Sequence, residues 1–293
     1  VRICFAGVNP IDAKTRAGLG WAAAQNKDNL PWTPGYDVAG VVEKVGPCVT
    51  SLAEGELVCG MVGFPLAAGA YAESVVAREE ELVKLDGVSL RQGAALPLAG
   101  LTAWQGLLEH GGLQSGQRVL ILAGAGGVGH LAVQFAAAYG AHVVATASGD
   151  NHSFLHSLGA SRMVDYHQAG WCTEAITDGP FDLVLDLVGG ESGKAALACV
   201  KPGGRLVTVP TITAQQIKDA GAELGVEVVG MLVHPDRTQL TQMLTLLRQG
   251  EVKITVSGEY TLAEGALAHQ AIEQGHVRGK LLLRMSAADG QPG

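Results

Sequence analysis

The segment over residues 119–139, VLILAGAGGVGHLAVQFAAAY, constrains the fold of this 293-residue chain most strongly. An apolar run leads into a glycine-rich turn, and apolar side chains then recur at helical spacing. Gly124, Gly126 and Gly129 fit the pattern G-x-G-x-x-G, whose glycines permit a tight turn, the approach of a phosphate to the backbone, and close packing of the helix on the strand. The N–H groups that open such a helix point at an anion. The segment therefore predicts a dinucleotide-binding turn, and a glycine-rich connection without a ligand is the alternative.

The overall composition excludes several classes of function. Apolar residues make up 47% of the chain, which indicates a well-filled core, and the formal net charge is −8. The negative charge and the lack of Lys and Arg clusters argue against binding to nucleic acid. No apolar run in the sequence reaches the roughly 18 residues that span a bilayer, and no secretion signal is recognisable. We therefore expect neither membrane insertion nor secretion.

The five cysteines are odd in number, and none belongs to a C-x-x-C pair. This use of cysteine is typical of reduced thiols and predicts a cytoplasmic protein. The chain begins at Val1, inside a segment whose side chains alternate as in a strand. We therefore expect that residues preceding Val1 are missing from this sequence.

Turn chemistry and hydrophobic spacing divide the chain into two regions. Residues 1–85 contain short β-rich runs separated by Gly and Pro, as in a compact β module. Further along, strands and helices alternate, which predicts a parallel sheet with right-handed crossovers. Six strands of this sheet are expected near Val119, Val143, Met163, Leu183, Leu206 and Val228.

The tail resumes β character after this sheet is complete, so we expect it to return to the first region. The fold class is thus α/β, with a doubly wound parallel sheet and a second, β-rich domain. The dinucleotide-binding domain is predicted over residues 93–232, and the β-rich domain over residues 1–92 and 233–293.

Nine blocks of sequence, in order, resemble the medium-chain dehydrogenase/reductase superfamily, specifically its zinc-free, zeta-crystallin-like quinone oxidoreductase branch. The blocks are AGVNPID from Ala6, PGYDVAGVVEKVG from Pro34, GAYAE from Gly69, ALPLAGLTAWQGL from Ala95, AGAGGVG from Ala123, LGASRMVDY from Leu158, FDLVLDLVGGE from Phe181, KPGGRLV from Lys201 and RGKLLLR from Arg278. The resemblance implies a GroES-like catalytic domain, completed by the tail, into which a Rossmann domain is inserted. It also implies a homodimer.

The residues at the metal position of related enzymes predict a zinc-free site. Zinc alcohol dehydrogenases of this architecture bind their metal through a Cys and a His from the loops that match residues 7–12 and 34–37. Asn9 and Tyr36 stand at or next to those places here, and neither an amide nor a phenol is a normal zinc ligand. The carboxylate of Asp37 alone makes a poor metal site. Hydride transfer without a Lewis acid favours an acceptor that delocalises the developing charge, such as a quinone or an activated alkene.

Two residues are predicted to be catalytic. The resemblance places Asn9 beside the nicotinamide and the substrate, and an Asn in a turn before a proline is the alternative. Tyr36 is expected to donate a hydrogen bond to the acceptor carbonyl rather than to act as an essential acid, because the ordinary phenol pKa is about 10. A plain half-buried tyrosine is the alternative. Asp37 is expected to form a salt bridge or to cap a helix.

The cofactor choice depends on the end of the second strand of the dinucleotide-binding sheet, where an acidic residue would favour NAD. That strand ends in small neutral residues, and Ser148, Asn151 and His152 can donate to a 2′-phosphate, whereas Asp150 opposes one. Tyr166 matches a family position that packs against this phosphate, and capping of the third strand is its alternative. We therefore predict NADPH as the cofactor.

Further cofactor contacts are predicted outside this strand end. Thr102 is expected to line the cofactor pocket, or else to bond back to its own helix. Arg278 and Lys280 match a family segment that reaches the cofactor, and a solvated basic turn is their alternative. The complete predicted set is Thr102, Gly124, Gly126, Gly127, Val128, Gly129, Ser148, Asn151, His152, Tyr166, Arg278 and Lys280.

The sequence thus predicts an NADPH-dependent, zinc-independent reductase that transfers hydride to a quinone or a similar conjugated carbonyl acceptor. An enoyl or alkenal reductase of the same branch is the nearest alternative. A non-catalytic NADPH-binding or RNA-binding protein of the crystallin type is an alternative of another class, which the acidic net charge disfavours.

Overall fold

The structure is a computed structural model that describes residues 1–285. The chain forms two compact units: unit 1 comprises residues 1–101 and the described residues from His234 onward, and unit 2 comprises Thr102–Val233. Residues 286–293 of the predicted β-rich domain lie outside the described residues. Within residues 1–285, no helix is long and apolar enough to cross a bilayer.

The secondary structure follows the predicted alternation. The strands, in chain order, are β1 (Arg2–Val8), β2 (Asp37–Val41), β3 (Leu57–Met61), β4 (Leu82–Lys84), β5 (Arg118–Ile121), β6 (His142–Ala147), β7 (Arg162–Asp165), β8 (Phe181–Asp186), β9 (Val200–Thr208), β10 (Glu227–Gly230), β11 (Val256–Thr261) and β12 (Lys280–Arg284). The α-helices are α1 (Pro10–Arg16), α2 (Gly20–Asn26), α3 (Leu90–Ala95), α4 (Pro97–Trp104), α5 (Gly129–Ala138), α6 (His152–Ser157), α7 (Trp171–Ala175), α8 (Gly190–Ala196), α9 (Ala214–Leu224), α10 (Arg237–Gln249) and α11 (Gly265–Glu273).

Unit 1 is built on a sheet with the strand order β11-β12-β1-β2-β3-β4. Strand β12 comes from the tail and lies antiparallel to β1, with Val8 opposite Leu281. Strand β2 is antiparallel to β1 on its other side, with Gly7 opposite Asp37. The tail therefore completes this sheet, and the first residues of β12 and β2 both lie at the end of β1. One apolar core of this unit includes Ile3, Ala6, Val8, Val38, Val58, Leu82, Leu281 and Leu283.

Unit 2 is a doubly wound sheet with the strand order β10-β9-β8-β5-β6-β7, in which every neighbouring pair is parallel. All six strands occur where the sequence predicts them, and the α/β fold class is confirmed. The strand order reverses between β5 and β8, and ligands of such sheets bind at the carboxyl ends of the strands at this point. The core of this unit includes Leu120, Val144, Val164, Phe181, Val184, Leu206 and Ile217.

The boundary between the units differs from the predicted one. Residues 93–101 belong to unit 1, although the sequence assigns them to the dinucleotide-binding domain. The physical reason is that α3 packs on β1, β2 and β3. A Cβ atom on Gly93 would lie 2.4 Å from Leu85 Cδ2 and 3.2 Å from Cys59 Cβ, so the helix approaches this sheet closely.

Candidate active site

The glycine-rich turn between β5 and α5 is fastened to the neighbouring strand β6. Thr146, in β6, accepts a hydrogen bond from Ala123 N at its hydroxyl (3.1 Å) and from Gly124 N at its carbonyl oxygen (2.8 Å). His130, in the first turn of α5, is fully buried, and its Nδ1 lies 3.0 Å from the carbonyl oxygen of Gly126. Thr146 and His130 thus shape the turn from the two elements beside it. Neither residue is among the site residues predicted from the sequence.

The three glycines of the fingerprint differ in the space around them. A Cβ atom on Gly124 would lie 2.8 Å from Ala145 Cβ, and one on Gly129 would lie 2.2 Å from the carbonyl oxygen of Ala123. A Cβ atom on Gly126 would meet only that same oxygen, at 3.4 Å. Gly124 and Gly129 are therefore needed for packing, whereas the backbone at Gly126 is open to the approach of a ligand. Gly127 and Val128 complete the connection. In the first turn of α5, His130 N donates to the carbonyl oxygen of Gly126 at 3.0 Å, and Ala132 N donates to that of Val128 at 2.9 Å.

The residues predicted to bind a 2′-phosphate follow the carboxyl ends of β6 and β7, which pair in parallel. Ser148 comes directly after β6, and its hydroxyl accepts a hydrogen bond from Asn151 Nδ2 at 3.0 Å. His152 begins α6. Tyr166 comes directly after β7, is 45% exposed, and has its ring centroid 4.1 Å from that of His167. The fold therefore places these residues at one edge of the sheet.

An acidic residue also lies at this edge. Asp165 ends β7 and accepts hydrogen bonds from His167, at N and at Nδ1, both at 2.9 Å. The backbone bond from His167 is the main reason that the pKa of Asp165 lies below its ordinary value. The edge thus offers hydroxyl, amide and aromatic groups beside two carboxylates. Asp165 is bonded to His167, and Asp150 lies in the turn between Ser148 and Asn151.

In unit 1, Asn9 lies between β1 and α1 and is 2% exposed. Its Nδ2 donates to Asp37 Oδ2 at 2.8 Å, and its Oδ1 accepts a hydrogen bond from Lys280 Nζ. The carboxylate and the ammonium therefore determine which way the amide faces, because the first accepts and the second donates. Two of the predicted site residues, Asn9 and Lys280, are thus in direct contact.

Lys280 is buried within unit 1, although the sequence analysis groups it with Arg278 as a cofactor contact. Its Nζ donates to the carbonyl oxygen of Val8 at 3.3 Å and lies 3.4 Å from Asp37 Oδ2. Arg278 is exposed, so the two basic residues have different environments. A contact of either residue with the cofactor stays a prediction. The salt bridge expected of Asp37 is confirmed, and its partner is Lys280.

Tyr36 is fully buried, and its hydroxyl donates to the carbonyl oxygen of Pro65 at 3.0 Å. Burial raises the pKa of this phenol well above its ordinary value, so the hydroxyl keeps its proton. A donor role toward an acceptor stays a prediction, and it requires the hydroxyl to leave Pro65. Thr102 is buried near the end of α4, and its contact with a cofactor likewise stays a prediction.

A second buried carboxylate, that of Asp12, binds the backbone N–H of Asn9. Asp12 is not among the site residues predicted from the sequence. Asp12 Oδ2 accepts from Asn9 N at 2.8 Å and from the Tyr71 hydroxyl at 3.2 Å, and Asp12 Oδ1 accepts from Gly35 N at 3.2 Å. Burial raises the pKa of Asp12 to about 7, although the Asn9 N–H opposes this shift. An Asp three residues after an Asn that precedes a helix is a capping pattern, and that spacing is the signal that could have identified it.

Metal-ligating side chains do not cluster in the part of the chain that the structure describes. No group of three or more His, Cys, Asp or Glu residues within residues 1–285 could hold a metal ion. All five cysteines are free thiols.

A doubly wound sheet with an open glycine turn, joined to a β-rich unit that contains a buried polar cluster, defines a two-domain, dinucleotide-dependent oxidoreductase. The family models agree: the alcohol dehydrogenase GroES-like domain matches residues 1–87, and the zinc-binding dehydrogenase matches residues 158–283. The chain belongs to the medium-chain dehydrogenase/reductase superfamily, in the branch of quinone and alkenal oxidoreductases. The predicted family is thereby confirmed.

Individual proteins are similar over almost the whole chain. A 2-methylene-furan-3-one reductase from Solanum lycopersicum is 37% identical over 295 residues, which cover 97% of this chain and 70% of the relative. The mitochondrial NAD(P)H oxidoreductase RTN4IP1 from Danio rerio is 33% identical over 321 residues, covering 97% and 82%. The solved structure of a quinone oxidoreductase from Coxiella burnetii matches with a TM-score of 0.93 and 40% identity, covering 97% of this chain and 89% of that one.

Proposed function

We propose that this protein is an NADPH-dependent reductase that transfers hydride to a quinone or a similar conjugated carbonyl without the help of a metal ion. The observation that carries this proposal is the contact set of Asn9 and Asp37. Asp37 Oδ1 accepts from Leu98 N at 2.6 Å, and Asp37 Oδ2 accepts from Asn9 and lies beside the Lys280 ammonium. Zinc requires thiolate, imidazole or carboxylate ligands, and an adjacent buried cation opposes it. These residues therefore do not fit a zinc ion.

The class of acceptor follows from this donor set. Reduction of an isolated ketone concentrates negative charge on one oxygen, which a Lewis acid ordinarily stabilises. A quinone or an enone spreads the charge over a conjugated system, so that a few hydrogen-bond donors suffice. Asn9 Nδ2 carries a second hydrogen besides the one donated to Asp37, and we assign it as the donor to the substrate or the nicotinamide.

The residues of unit 2 fit a dinucleotide. The open backbone at Gly126 and the N–H groups of Gly127 and Val128, in the turn before α5, would hold the pyrophosphate. Ser148, Asn151 and Tyr166 would hold the 2′-phosphate that distinguishes NADPH from NADH. Bound NADPH would supply the hydride from C4 of its nicotinamide, and the protein would supply position and polarity.

The cofactor preference is tested by dissociation constants for NADPH and NADH, measured by isothermal titration calorimetry. We expect NADPH to bind more tightly. Ser148→Asp places a carboxylate beside the 2′-phosphate and should weaken NADPH binding by roughly tenfold or more, with little effect on NADH. Ser157→Asp is the matched control, because Ser157 is at the other end of α6 and its hydroxyl donates to the Phe154 carbonyl oxygen in its own helix. Equal affinities for the two cofactors would contradict the assignment.

Reduction of an activated alkene is the second candidate function. The relative from Solanum lycopersicum is named for a compound in which an exocyclic alkene is conjugated with a ketone. We would measure kcat/KM for NADPH oxidation with a panel of quinones, alkenals and enoyl thioesters. Preference for quinones supports the first candidate and preference for alkenals or enoyl thioesters the second. No turnover with any acceptor, together with RNA binding at low salt, would indicate the non-catalytic class.

We also propose that the protein is a homodimer. Strand β10 is an edge of the sheet in unit 2, and an edge strand is a template for pairing with a second copy. Light scattering after size-exclusion chromatography tests this, and a monomer at micromolar concentration would contradict it. A cytoplasmic location stays a prediction that the free thiols support, whereas the relative from Danio rerio bears a mitochondrial name.

A further inference from the structure

A chain of hydrogen bonds crosses unit 1 from α11 to the start of α1. His269 Nε2 lies 3.3 Å from the Tyr71 hydroxyl, and that hydroxyl donates to Asp12 Oδ2 at 3.2 Å. The same Asp12 oxygen accepts from Asn9 N at 2.8 Å. His269 is 3% exposed and Asp12 is fully buried. This series of hydrogen bonds therefore joins the buried His269 imidazole to the backbone of Asn9, the residue that we assign to the reaction.

The charges in this region are unbalanced when all acids and bases are ionised. Lys280 pairs with Asp37, whereas the partners of Asp12 are the N–H groups of Asn9 and Gly35 and the Tyr71 hydroxyl. A buried carboxylate without a cationic partner is unfavourable, and a proton on the carboxylate removes the imbalance. Besides burial, the nearby charge of Asp37 raises the pKa of Asp12, and that of Lys280 lowers it.

The series of hydrogen bonds ends at His269, close to an ion pair on the surface. Glu273 is four residues after His269 on α11, and Arg16 is four residues after Asp12 on α1, so each pair lies on one helix face. Helices α1 and α11 pack together, and Arg16 forms a salt bridge with Glu273 in which both side chains are nearly half exposed. The charges of Arg16 and Glu273 both act on His269, so this partly exposed ion pair lies near the imidazole.

We propose that Tyr71 and His269 form a path through which Asp12 exchanges a proton with solvent, so that the charge beside Asn9 depends on pH. The significance for catalysis rests on the proposed function, whereas the exchange itself does not. When Asp12 is ionised, the Tyr71 hydroxyl donates to Asp12, and His269 Nε2–H donates to the phenol oxygen.

Uptake of a proton proceeds along these bonds without any redox change. A proton from water binds His269 Nδ1, the proton on Nε2 passes to the phenol oxygen, and the original phenol proton passes to Asp12 Oδ2. One proton leaves the solvent, and the products are a neutral carboxylic acid, a neutral phenol and a neutral imidazole protonated on Nδ1.

The three groups have properties that suit this path. Burial lowers the pKa of His269, and the Arg16 charge adds to this effect, so the ring is neutral and has one donor and one acceptor nitrogen. Burial and the Asp12 charge raise the pKa of Tyr71, so the phenol passes protons on without becoming a stable anion.

The test uses the protein without cofactor or substrate and with ¹³C-labelled aspartate. Infrared spectra should show a carboxylic acid band that disappears with a midpoint near neutral pH, and Asp12→Asn should remove it. After a rapid change of pH, Tyr71→Phe and His269→Gln should slow the titration of this band by roughly tenfold or more, because the proton path is interrupted. Tyr260→Phe is the control for Tyr71→Phe, because both tyrosines pack against the apolar core of unit 1. His276→Gln, at an exposed position, is the control for His269→Gln.

Three outcomes would overturn the proposal: no carboxylic acid band in the unsubstituted protein near neutral pH, a band that persists in Asp12→Asn, or unchanged kinetics in both path variants. The unsubstituted protein and the two path variants, Tyr71→Phe and His269→Gln, decide the matter even if Asp12→Asn does not fold. A step in the pH profile of kcat/KM at the same midpoint would connect the path to reduction. If the band titrates but no acceptor is reduced, the proposed function fails and the proton path stands.

Discussion

Lys280 Nζ and Asp37 Oδ2 lie 3.4 Å apart, and their side chains are only 2% and 0% exposed. Lys280 begins β12 and Asp37 begins β2, and both strands flank β1. The pair therefore meets at the end of β1, where Asn9 follows. Because both charged groups also bond to the Asn9 amide, the register of three strands determines how this amide is oriented.

Lys280→Met should destabilise the protein by about 3–5 kcal/mol, because it leaves the buried Asp37 carboxylate without its cation. The substitution should also lower kcat, since Asp37 alone would then orient the Asn9 amide. Urea unfolding and steady-state kinetics measure the two effects. Arg278→Met, at an exposed position two residues away, should change stability by less than about 0.5 kcal/mol. Equal effects of the two substitutions on the free energy of unfolding would show that burial of the ion pair is unimportant.

The glycines of the turn should separate stability from cofactor binding. Gly129→Ala should destabilise the fold by about 1–3 kcal/mol or more, because the new methyl group meets the Ala123 carbonyl oxygen. Gly126→Ala should leave stability nearly unchanged and weaken NADPH binding by about tenfold, or roughly 1.4 kcal/mol, because the methyl group occupies the space of a phosphate. Thermal unfolding and calorimetric titration test both. Normal NADPH affinity in Gly126→Ala would place the pyrophosphate elsewhere.

The stability of the protein should fall as pH rises from about 4 to 7 through the titration of Asp12. Its pKa is raised from an ordinary 3.8 to about 7 in the folded state, so the folded protein keeps a proton that the unfolded chain has lost. The stabilisation is complete below the unfolded pKa and is lost through the folded pKa. Three pKa units correspond to about 4 kcal/mol at most.

The measurement for this effect is urea unfolding at a series of pH values for the unsubstituted protein and for Asp12→Asn. The difference between the two free energies isolates Asp12 from other groups, His269 included. We expect the difference to change with pH in this interval and to level off above it. A constant difference would mean that Asp12 is ionised in the folded state throughout.

Tyr36→Phe should have a modest effect on catalysis. The hydroxyl donates to the Pro65 carbonyl, so its removal should cost about 1 kcal/mol of stability and reduce kcat by less than about tenfold. Tyr139→Phe, at a tyrosine that is 48% exposed, is the control. A loss of hundredfold or more in kcat, with the fold intact, would instead identify the phenol as a direct donor to the substrate.

Local patterns account for what the sequence could predict. The strand and helix spacings of unit 2 and the glycine turn are each encoded within about twenty residues, and β5 and α5 lie where that spacing places them. The absence of an acidic residue directly after β6 is also a local feature, because Ser148 follows the last residue of the strand.

Long-range contacts account for what the sequence could not predict. Asp12, Tyr71 and His269 are far apart in the chain. Helix α11 packs on α1, which brings His269 toward Asp12, and Tyr71 bonds to both from a separate loop. The burial of Lys280 depends on the register of β12 against β1, which no spacing in the sequence reveals. The assignment of α3 to unit 1 also depends on packing, because a helix preceding the dinucleotide-binding strands has no local mark of the sheet that it contacts.

The most direct test of the central claim combines metal analysis with turnover. We would treat the protein with a chelator, verify by elemental analysis that zinc is absent, and measure NADPH oxidation with a quinone and with an alkenal. We expect the metal-free protein to bind NADPH and to retain its full rate with at least one of these acceptors. Loss of activity that added zinc restores, or an absence of NADPH binding, would contradict it.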